Sequence, residues 1–239
     1  MYTVGSLYAG VGGICMGFRN SGFIISWANE FDKNACITYR NNHKNTLIEG
    51  DVLQLDINEI EKVDIIAGGF PCQPFSVAGY RKGFEDNRGN HYFKILDFVD
   101  IMRPKVIFLE NVKNLVGHDN GNTFKIIRDT ILERDYTFQS KVINTKDYGN
   151  IPHNRERIFI VAFDKKQVED AENKFRFPSK EKLTSKVQDL IEKEEVDEKF
   201  YYKEDKYMFE TLKEGVVSEN TIYQFRRHYV RENKSNVCP

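Results

Sequence analysis

The sequence lacks any uninterrupted apolar run long enough to span a membrane, which requires about 20 residues. Its first residues, MYTVGSLYAG, lack the basic flank, the extended apolar core and the cleavage pattern of a secretory signal. The four cysteines show no paired metal-ligand spacing, and a chain of 239 residues does not depend on disulfides for its stability. These absences predict a cytoplasmic protein without a metal site, with reduced thiols of which one could be catalytic.

An excess of basic residues is also missing, because the formal net charge is −1. A protein that binds DNA without help usually carries a basic surface, so this balance argues mildly against one. The argument loses its weight if DNA contacts are concentrated locally or are supplied by another segment. The apolar fraction of 40% is typical of a soluble globular protein with one main domain.

Short apolar runs alternate with amphipathic stretches along the first three quarters of the chain. The predicted strands are residues 2–8, 23–28, 63–67, 106–109, 138–144 and 157–163, and the predicted helices are residues 14–21, 33–42, 92–102 and 123–134. This alternation predicts an α/β fold, doubly wound around a mostly parallel sheet. Ligands of such sheets lie outside the carboxyl ends of the strands, so we expect the chemistry just after each strand.

The pattern changes beyond residue 177, where the sequence becomes charged and only weakly periodic. We therefore predict a catalytic and cofactor-binding domain in residues 1–177 and a charged connecting region in residues 178–239. A solvated surface excursion of the same domain explains the second segment equally well.

The first predicted strand runs into a glycine-rich junction ahead of a helix-like segment. Gly10 and Gly12 let the backbone turn tightly and approach a ligand closely. The dinucleotide-binding spacing would require a third glycine at position 15, where the chain has Cys15. The junction fits a ligand-binding loop, and a turn without a ligand fits it about as well.

Two acidic residues further along the chain, Glu30 and Asp51, stand at positions where a ligand could be bound. Glu30 ends the second predicted strand about twenty positions after Gly10, where a carboxylate commonly binds a ribose diol. Asp51 could accept a hydrogen bond from an adenine amino group, with Val52 against the ring. Taken singly, Glu30 is explained equally well as a surface acid and Asp51 as a turn residue. Taken together, at successive strand ends, they favour an adenosine-bearing cofactor.

The strand at residues 63–67 runs into the segment GGFPCQPFS, residues 68–76. A cysteine in a loop bounded by glycine and proline at a strand's carboxyl end is presented to the cleft. An isolated cysteine is more often buried and inert. The segment resembles the cytosine-5 DNA methyltransferase family, whose nucleophile lies in a Pro-Cys-Gln motif, and Cys72 stands at the matching position.

The resemblance continues in family order over roughly residues 1–165. Its further motifs are GFEDNRG at 83–89, PKV at 104–106, ENV at 110–112, DYG at 147–149 and RER at 155–157. It implies a Rossmann-like, S-adenosylmethionine-dependent methyltransferase fold. It also implies that Glu110 contacts the ring-nitrogen edge of a flipped cytosine and that Arg155 and Arg157 lie near the base and its phosphate. From the residues alone, Glu110 would be a surface or helix-capping acid and Arg157 an ion-paired strand end.

The implied reaction explains why these residue types are needed. Carbon 5 of cytosine is too weakly nucleophilic to attack a methyl sulfonium unaided. Addition of a Cys72 thiolate at carbon 6 makes the ring electron-rich, and Glu110 stabilises the charge at the ring nitrogen. In duplex DNA the base must first rotate out of the stack, at a cost of a few kcal/mol. The base that later removes the carbon 5 proton is not assigned to a side chain.

The resemblance implies two sets of binding residues. The S-adenosylmethionine pocket comprises Tyr8, Gly10, Gly12, Glu30, Phe31, Asp51, Val52 and Pro71. The DNA-binding set comprises Gln73, Ser76, Arg81, Lys82 and Arg88. The three cations suit contact with phosphates, whereas an ordinary surface loop is the alternative for residues 76–91.

The chain departs from the family pattern at several points. Ser6 stands where aspartate is common, and His153 with Asn154 precedes the Arg-x-Arg pair where glutamine and a variable residue are typical. The family's target-recognition region and its final Gly-Asn-Ser-type segment do not occur before residue 239. We therefore expect a truncated chain, or one part of a split enzyme that needs a second polypeptide.

The predicted function is that of a DNA cytosine-5 methyltransferase in a restriction-modification system. Three alternatives stay open: a catalytically silent remnant that still binds the cofactor, a transfer RNA cytosine-5 methyltransferase, and a nicotinamide-dependent oxidoreductase on a similar sheet. The Pro-Cys-Gln loop and the irregular glycine spacing make the oxidoreductase the weakest of the three.

Overall fold

A computed structural model of the chain describes residues 1–71, 90–218, 221–226, 228–233 and 237–238. The chain divides into two compact units. The first consists of Met1–Val142 and Arg157–Phe177, and the second of Ile143–Glu156 and Pro178–Pro239. Helices and strands are numbered below in chain order over the described residues.

Seven strands form one sheet in the order β3-β2-β1-β4-β5-β7-β6. They are β1 (Thr3–Leu7), β2 (Ile24–Glu30), β3 (Thr46–Glu49), β4 (Ile65–Gly68), β5 (Val106–Val112), β6 (Gln139–Asn144) and β7 (Glu156–Phe163). Strands β1 to β5 pair in parallel, whereas β7 runs antiparallel to β5. The chain adds β2 and β3 on one side of β1 and then β4 and β5 on the other. The strand order therefore reverses between β1 and β4, and such a switch point opens a crevice at the carboxyl ends of the strands.

The four longest described helices cover the two faces of this sheet. They are α1 (Gly13–Asn20), α2 (Lys33–Asn42), α3 (Asn90–Met102) and α4 (Asn122–Leu132). Cys15 of α1 and Tyr39 of α2 belong to one buried cluster, and side chains of α3 and α4 belong to the other. The central strand β4 is buried along its whole length because apolar helices pack on both of its sides.

The doubly wound α/β class predicted from the sequence is confirmed, and the predicted helices 33–42 and 92–102 match α2 and α3 closely. The sequence interpretation missed β3. Residues 178–239, predicted as a charged connecting region, all fall in the second unit. The second unit contains the helix α7 (Phe209–Gly215) and a hairpin of β8 (Ile222–Arg226) and β9 (Tyr229–Asn233).

Two further helices are single turns, α5 (Thr145–Tyr148) and α6 (Ala171–Lys174). Among the described residues, no helix combines the length and the apolar character that a membrane span requires. In the same residues, no cluster of three or more His, Cys, Asp or Glu side chains is arranged to hold a metal ion.

Candidate active site

Loops at the carboxyl ends of β1, β2 and β3 are tied together by hydrogen bonds. The Ala9 amide donates to the Asn29 carbonyl at 2.9 Å, and the Gly50 amide donates to the Glu30 carbonyl at 3.0 Å. The buried Asn29 side chain donates to the carbonyls of Ile48 and Gly50. The three sequence features predicted to bind a cofactor therefore meet at one edge of the sheet. Asn29 was not among the predicted residues, and its only sequence signal is a polar side chain inside an apolar strand.

The loop after β1 has an unusual backbone. Tyr8, Gly10 and Gly12 have φ angles of 54°, 57° and 94°, all in the left-handed region that favours glycine. Gly12 caps α1 without any side-chain hydrogen bond at that cap. A Cβ atom at Gly10 would meet no heavy atom of the described chain within 4 Å. The loop thus exposes backbone to open space at a helix N-terminus, where amide groups and the helix dipole favour negatively charged or polar ligand groups.

Glu30 links this loop to the end of β2. Its Oε2 atom accepts from the Gly10 amide at 2.8 Å, and its Oε1 atom accepts from the Phe31 and Asp32 amides at 3.0 and 2.9 Å. The side chain is nearly buried, at 7% exposure for the residue. A carboxylate offers about four acceptor positions, so this one retains capacity for a further donor such as a hydroxyl. Glu30 therefore organises the loop, a role that the sequence interpretation did not assign to it.

The remaining predicted cofactor residues lie around the same strand ends. Val52 is buried and Phe31 is 73% exposed, so the Phe31 ring is accessible for stacking. Asp51 accepts from the Leu53 amide at 3.0 Å. Burial, and next the negative charge of Asp51, raise the pKa of Tyr8. The Tyr8 hydroxyl donates to the His91 carbonyl at 2.9 Å and so stays protonated at neutral pH.

The loop after β4 lies between the loop after β1 and strand β5. Gly68 pairs with Leu7 of β1 on one side and with Leu109 of β5 on the other. A Cβ atom at Gly69 would lie 3.2 Å from Oε2 of Glu110. The Glu110 carboxylate is thus packed directly against the backbone that leads to Pro71, and only a residue without a side chain fits there comfortably.

Glu110 is paired with Arg157. The Arg157 Nε atom lies 3.1 Å from Glu110 Oε1, and both side chains are less than one quarter exposed. The pair is set by strand register, because Val112 of β5 is opposite Arg157 of β7. Glu110, predicted to contact the target base, therefore lies beside Gly69 and is paired with Arg157, one of the two arginines predicted near that base.

Asn111 is a site residue that the sequence interpretation missed. Its buried amide donates to the Phe70 carbonyl at 2.9 Å, and its Oδ1 atom accepts from the Val112 amide at 2.8 Å. Phe70 is itself buried against Tyr92 of α3. These contacts fix the backbone two residues before Cys72.

We predict that Asn111→Leu weakens both stability and turnover. The substitution removes the hydrogen bonds that the Asn111 side chain makes with the Phe70 carbonyl and the Val112 amide, and each such loss costs about 0.5–1.5 kcal/mol. Urea unfolding should show the loss of stability, and the methyl-transfer rate at a permissive temperature should fall by at least about tenfold. Asn111→Asp, which keeps the acceptor but loses the donor, separates the two bonds. The exposed Asn114→Ala on the same connection is the control, and wild-type stability in Asn111→Leu would contradict the assignment.

Several predicted residues are not placed at this site by the structure. Cys72, Gln73, Ser76, Arg81, Lys82 and Arg88 lie outside the described residues. Pro71 is exposed at the end of the described segment that precedes them. Arg155 belongs to the second unit, where its carbonyl accepts from the Thr145 amide at 3.0 Å.

Comparison with known proteins gives a consistent result. The family model for C-5 cytosine-specific DNA methylases matches residues 2–238. The type II methyltransferase M.Bsp6I of Bacillus sp. (strain RFL6) is 51% identical over 243 aligned residues, which cover 100% of this chain and 76% of that protein. The type II methyltransferase M.HhaI of Haemophilus parahaemolyticus is 43% identical over 185 residues, covering 77% of this chain and 55% of that protein.

A solved structure shows the same fold. A mutant of DNMT2 from Spodoptera frugiperda superimposes with a TM-score of 0.65 and 25% identity, covering 84% of this chain and 62% of that one. The family predicted from the Pro-Cys-Gln loop and its companion motifs is confirmed by a match that spans nearly the whole sequence. The chain therefore belongs to the C-5 cytosine-specific DNA methylase family.

Proposed function

We propose that the chain transfers a methyl group from S-adenosylmethionine to carbon 5 of a flipped cytosine in duplex DNA, as the modification enzyme of a restriction-modification system. One observation carries this proposal. At the switch point of the sheet, the segment from Gly68 to Pro71 lies between the cofactor loop of β1 and the Glu110 carboxylate of β5. Cys72 follows Pro71 directly in the sequence.

The strand-end loops fit an adenosine-bearing methyl donor. The open, left-handed loop of Gly10 and Gly12 suits the methionine portion, and the remaining acceptor capacity of Glu30 suits the ribose hydroxyls. Asp51 and Val52 suit the adenine, with Phe31 as a stacking surface. Tyr8 and Pro71 complete the set. S-adenosylmethionine, when bound, supplies an electrophilic methyl group.

The chain's own residues make the cytosine reactive enough to take that methyl group. The Cys72 sulfur forms a bond to carbon 6, and the displaced electron pair of the ring increases the electron density at carbon 5. The carboxyl group of Glu110 stabilises the charge at the ring nitrogen, and Arg157 holds Glu110 in place. After methylation, loss of the carbon 5 proton returns its electron pair to the ring, and the carbon–sulfur bond breaks to release the Cys72 thiolate.

Contacts with DNA are assigned to residues that follow Cys72 in the sequence and to Arg155. Gln73 and Ser76 adjoin the nucleophile in sequence, and Arg81, Lys82 and Arg88 are suited to phosphates. Arg155 stands two positions ahead of Arg157 and is assigned to the base and its phosphate. Such contacts offset part of the energy needed to unstack the target base.

The relatives are longer than this chain, which spans 76% of M.Bsp6I and 55% of M.HhaI. Target recognition usually requires base contacts beyond those of a catalytic core. We propose that a further segment, in the same polypeptide or in a second one, supplies the sequence recognition and completes the cofactor pocket.

Two measurements test the proposed function separately. Isothermal titration should detect binding of S-adenosylmethionine but not of a nicotinamide dinucleotide. Transfer of a labelled methyl group should then be measured on mixed-sequence duplex DNA and on transfer RNA, with and without the C-terminal segment of M.Bsp6I. We expect label in DNA, increased by the added segment. Label in transfer RNA alone would favour an RNA substrate, and cofactor binding without any transfer would favour a silent remnant.

A further inference from the structure

A buried histidine lies behind the cofactor loop. His43 directly follows α2, and its ring is stacked on Tyr39 with centroids 4.3 Å apart and an interplanar angle of 22°. The residue is 4% exposed. Within the described part of the chain, neither ring nitrogen has a hydrogen-bond partner of good geometry, and the Gly12 backbone is the polar group nearest to the ring. An unpartnered imidazole is costly to bury, so its position calls for an explanation beyond the filling of space.

The ring is packed against the glycine that begins α1. A Cβ atom at Gly12 would lie 2.1 Å from His43 Nε2, far inside van der Waals contact. Gly10, in the same loop and with a similar left-handed backbone, has open space at its Cβ position. The imidazole therefore restricts one of the two left-handed glycines and leaves the other free.

The ring is neutral at neutral pH. Burial, followed by the positive charge of Arg19 on α1, lowers the pKa of His43, and the Gly12 backbone offsets this only in part. A neutral ring can lie against the positive end of the α1 dipole without repulsion. The Gly12 amide, meanwhile, donates to the Ala9 carbonyl at 2.9 Å and closes the turn.

We propose that His43 is a positioning residue for S-adenosylmethionine, because its ring holds the Gly12 peptide in the orientation that the cofactor requires. This inference rests on the proposed function. Wedged between Tyr39 and Gly12, the ring prevents the turn from relaxing toward the core. The amides at the start of α1 thereby stay directed at the ligand, and the ordering cost on binding is reduced. The ordinary alternative is a core residue that contributes only to stability.

A double-mutant cycle on the full chain tests the proposal by the Kd for S-adenosylmethionine, measured by isothermal titration. We expect His43→Ala to raise the Kd by about tenfold or more, and Gly12→Ala to raise it further. Alanine at position 12 strains the backbone in the wild type and in His43→Ala alike, but it collides with the ring only in the wild type. Gly12→Ala should therefore cost at least about fivefold less in the His43→Ala background, as expected for residues in contact.

Two matched variants separate positioning from general destabilisation. Gly10→Ala adds a Cβ atom at another left-handed glycine of the same loop but without the collision, so its effect on the Kd should add to that of His43→Ala. Ile131→Ala removes a buried side chain of α4 and should lower the unfolding temperature with no change in the Kd. If His43→Ala does not fold, His43→Val, which removes the ring but keeps a small apolar side chain, replaces it and is judged by the same criteria.

The outcomes distinguish this proposal from the proposed function. If the wild-type chain binds S-adenosylmethionine, two results would overturn the positioning role alone. One is an unchanged Kd in the His43 variant, and the other is that the effects of His43→Ala and Gly12→Ala on the Kd simply add. Absence of S-adenosylmethionine binding by the wild-type chain would overturn the proposed function and this inference with it.

Discussion

Replacing Cys72 with alanine is expected to reduce methyl transfer by at least about a thousandfold, because the ring of cytosine is not activated without a nucleophile at carbon 6. Binding of S-adenosylmethionine should be unchanged, since most of the residues proposed to bind it lie in the loops after β1, β2 and β3. The measurement is single-turnover transfer of labelled methyl groups to duplex DNA, paired with isothermal titration of the cofactor. A loss of turnover with intact cofactor affinity assigns the defect to chemistry.

The other cysteines provide the control. Cys15 and Cys36 are buried, and Cys238 is partly exposed in the second unit. Cys238→Ala should retain the wild-type rate, and therefore separates the loss of the nucleophile from the loss of any reactive thiol. Retention of the wild-type rate by Cys72→Ala would disprove the covalent mechanism.

Glu110→Gln is expected to lower the single-turnover rate by about 10²–10³-fold, the range measured when one stabilising group for developing charge is removed. Glutamine preserves the shape that fits against Gly69, but it loses the ion pair with Arg157 and the ability to share a proton with the ring nitrogen. Cofactor affinity should change by less than about threefold, because Glu110 lies on the opposite side of β4 from the cofactor loop.

Two further variants test the role of Arg157 and provide a control for the loss of an acid. Arg157→Lys keeps the positive charge but lacks the planar guanidinium, so it should give an intermediate rate. Glu133→Gln changes an exposed acid at the end of α4 and should have no effect. An Arg157→Lys rate equal to the wild type would show that the planar guanidinium is not needed to position Glu110.

The strands β4 and β5 could be predicted because β4 is a short apolar run that is buried along its whole length and β5 begins with the apolar run VIFL. Residues 63–67 and 106–109 correspond to β4 and to the first half of β5. β3 was missed because its four residues, TLIE, are only half-buried and show no clear periodicity. The hairpin of β8 and β9 was missed because polar residues interrupt both of its five-residue strands, IYQFR and YVREN.

The supporting residues were harder to find than the ligand-type residues. Asn29, Asn111 and His43 act on backbone atoms that are brought near them only by folding. The spacing of residues along the sequence does not predict such a contact. A buried polar side chain at the end of a strand or helix is the one available signal, and it identifies a constrained position but not the partner.

Peptide mapping of a trapped complex tests the central claim most directly. The chain, supplied with any missing recognition segment, would be mixed with S-adenosylmethionine and duplex DNA containing 5-fluorocytosine, in which fluorine blocks the final elimination. We predict a stable adduct in which the peptide containing Cys72 carries the methylated fluorocytosine. Methylation of ordinary DNA by the same preparation, together with no adduct or an adduct at another residue, would contradict the account.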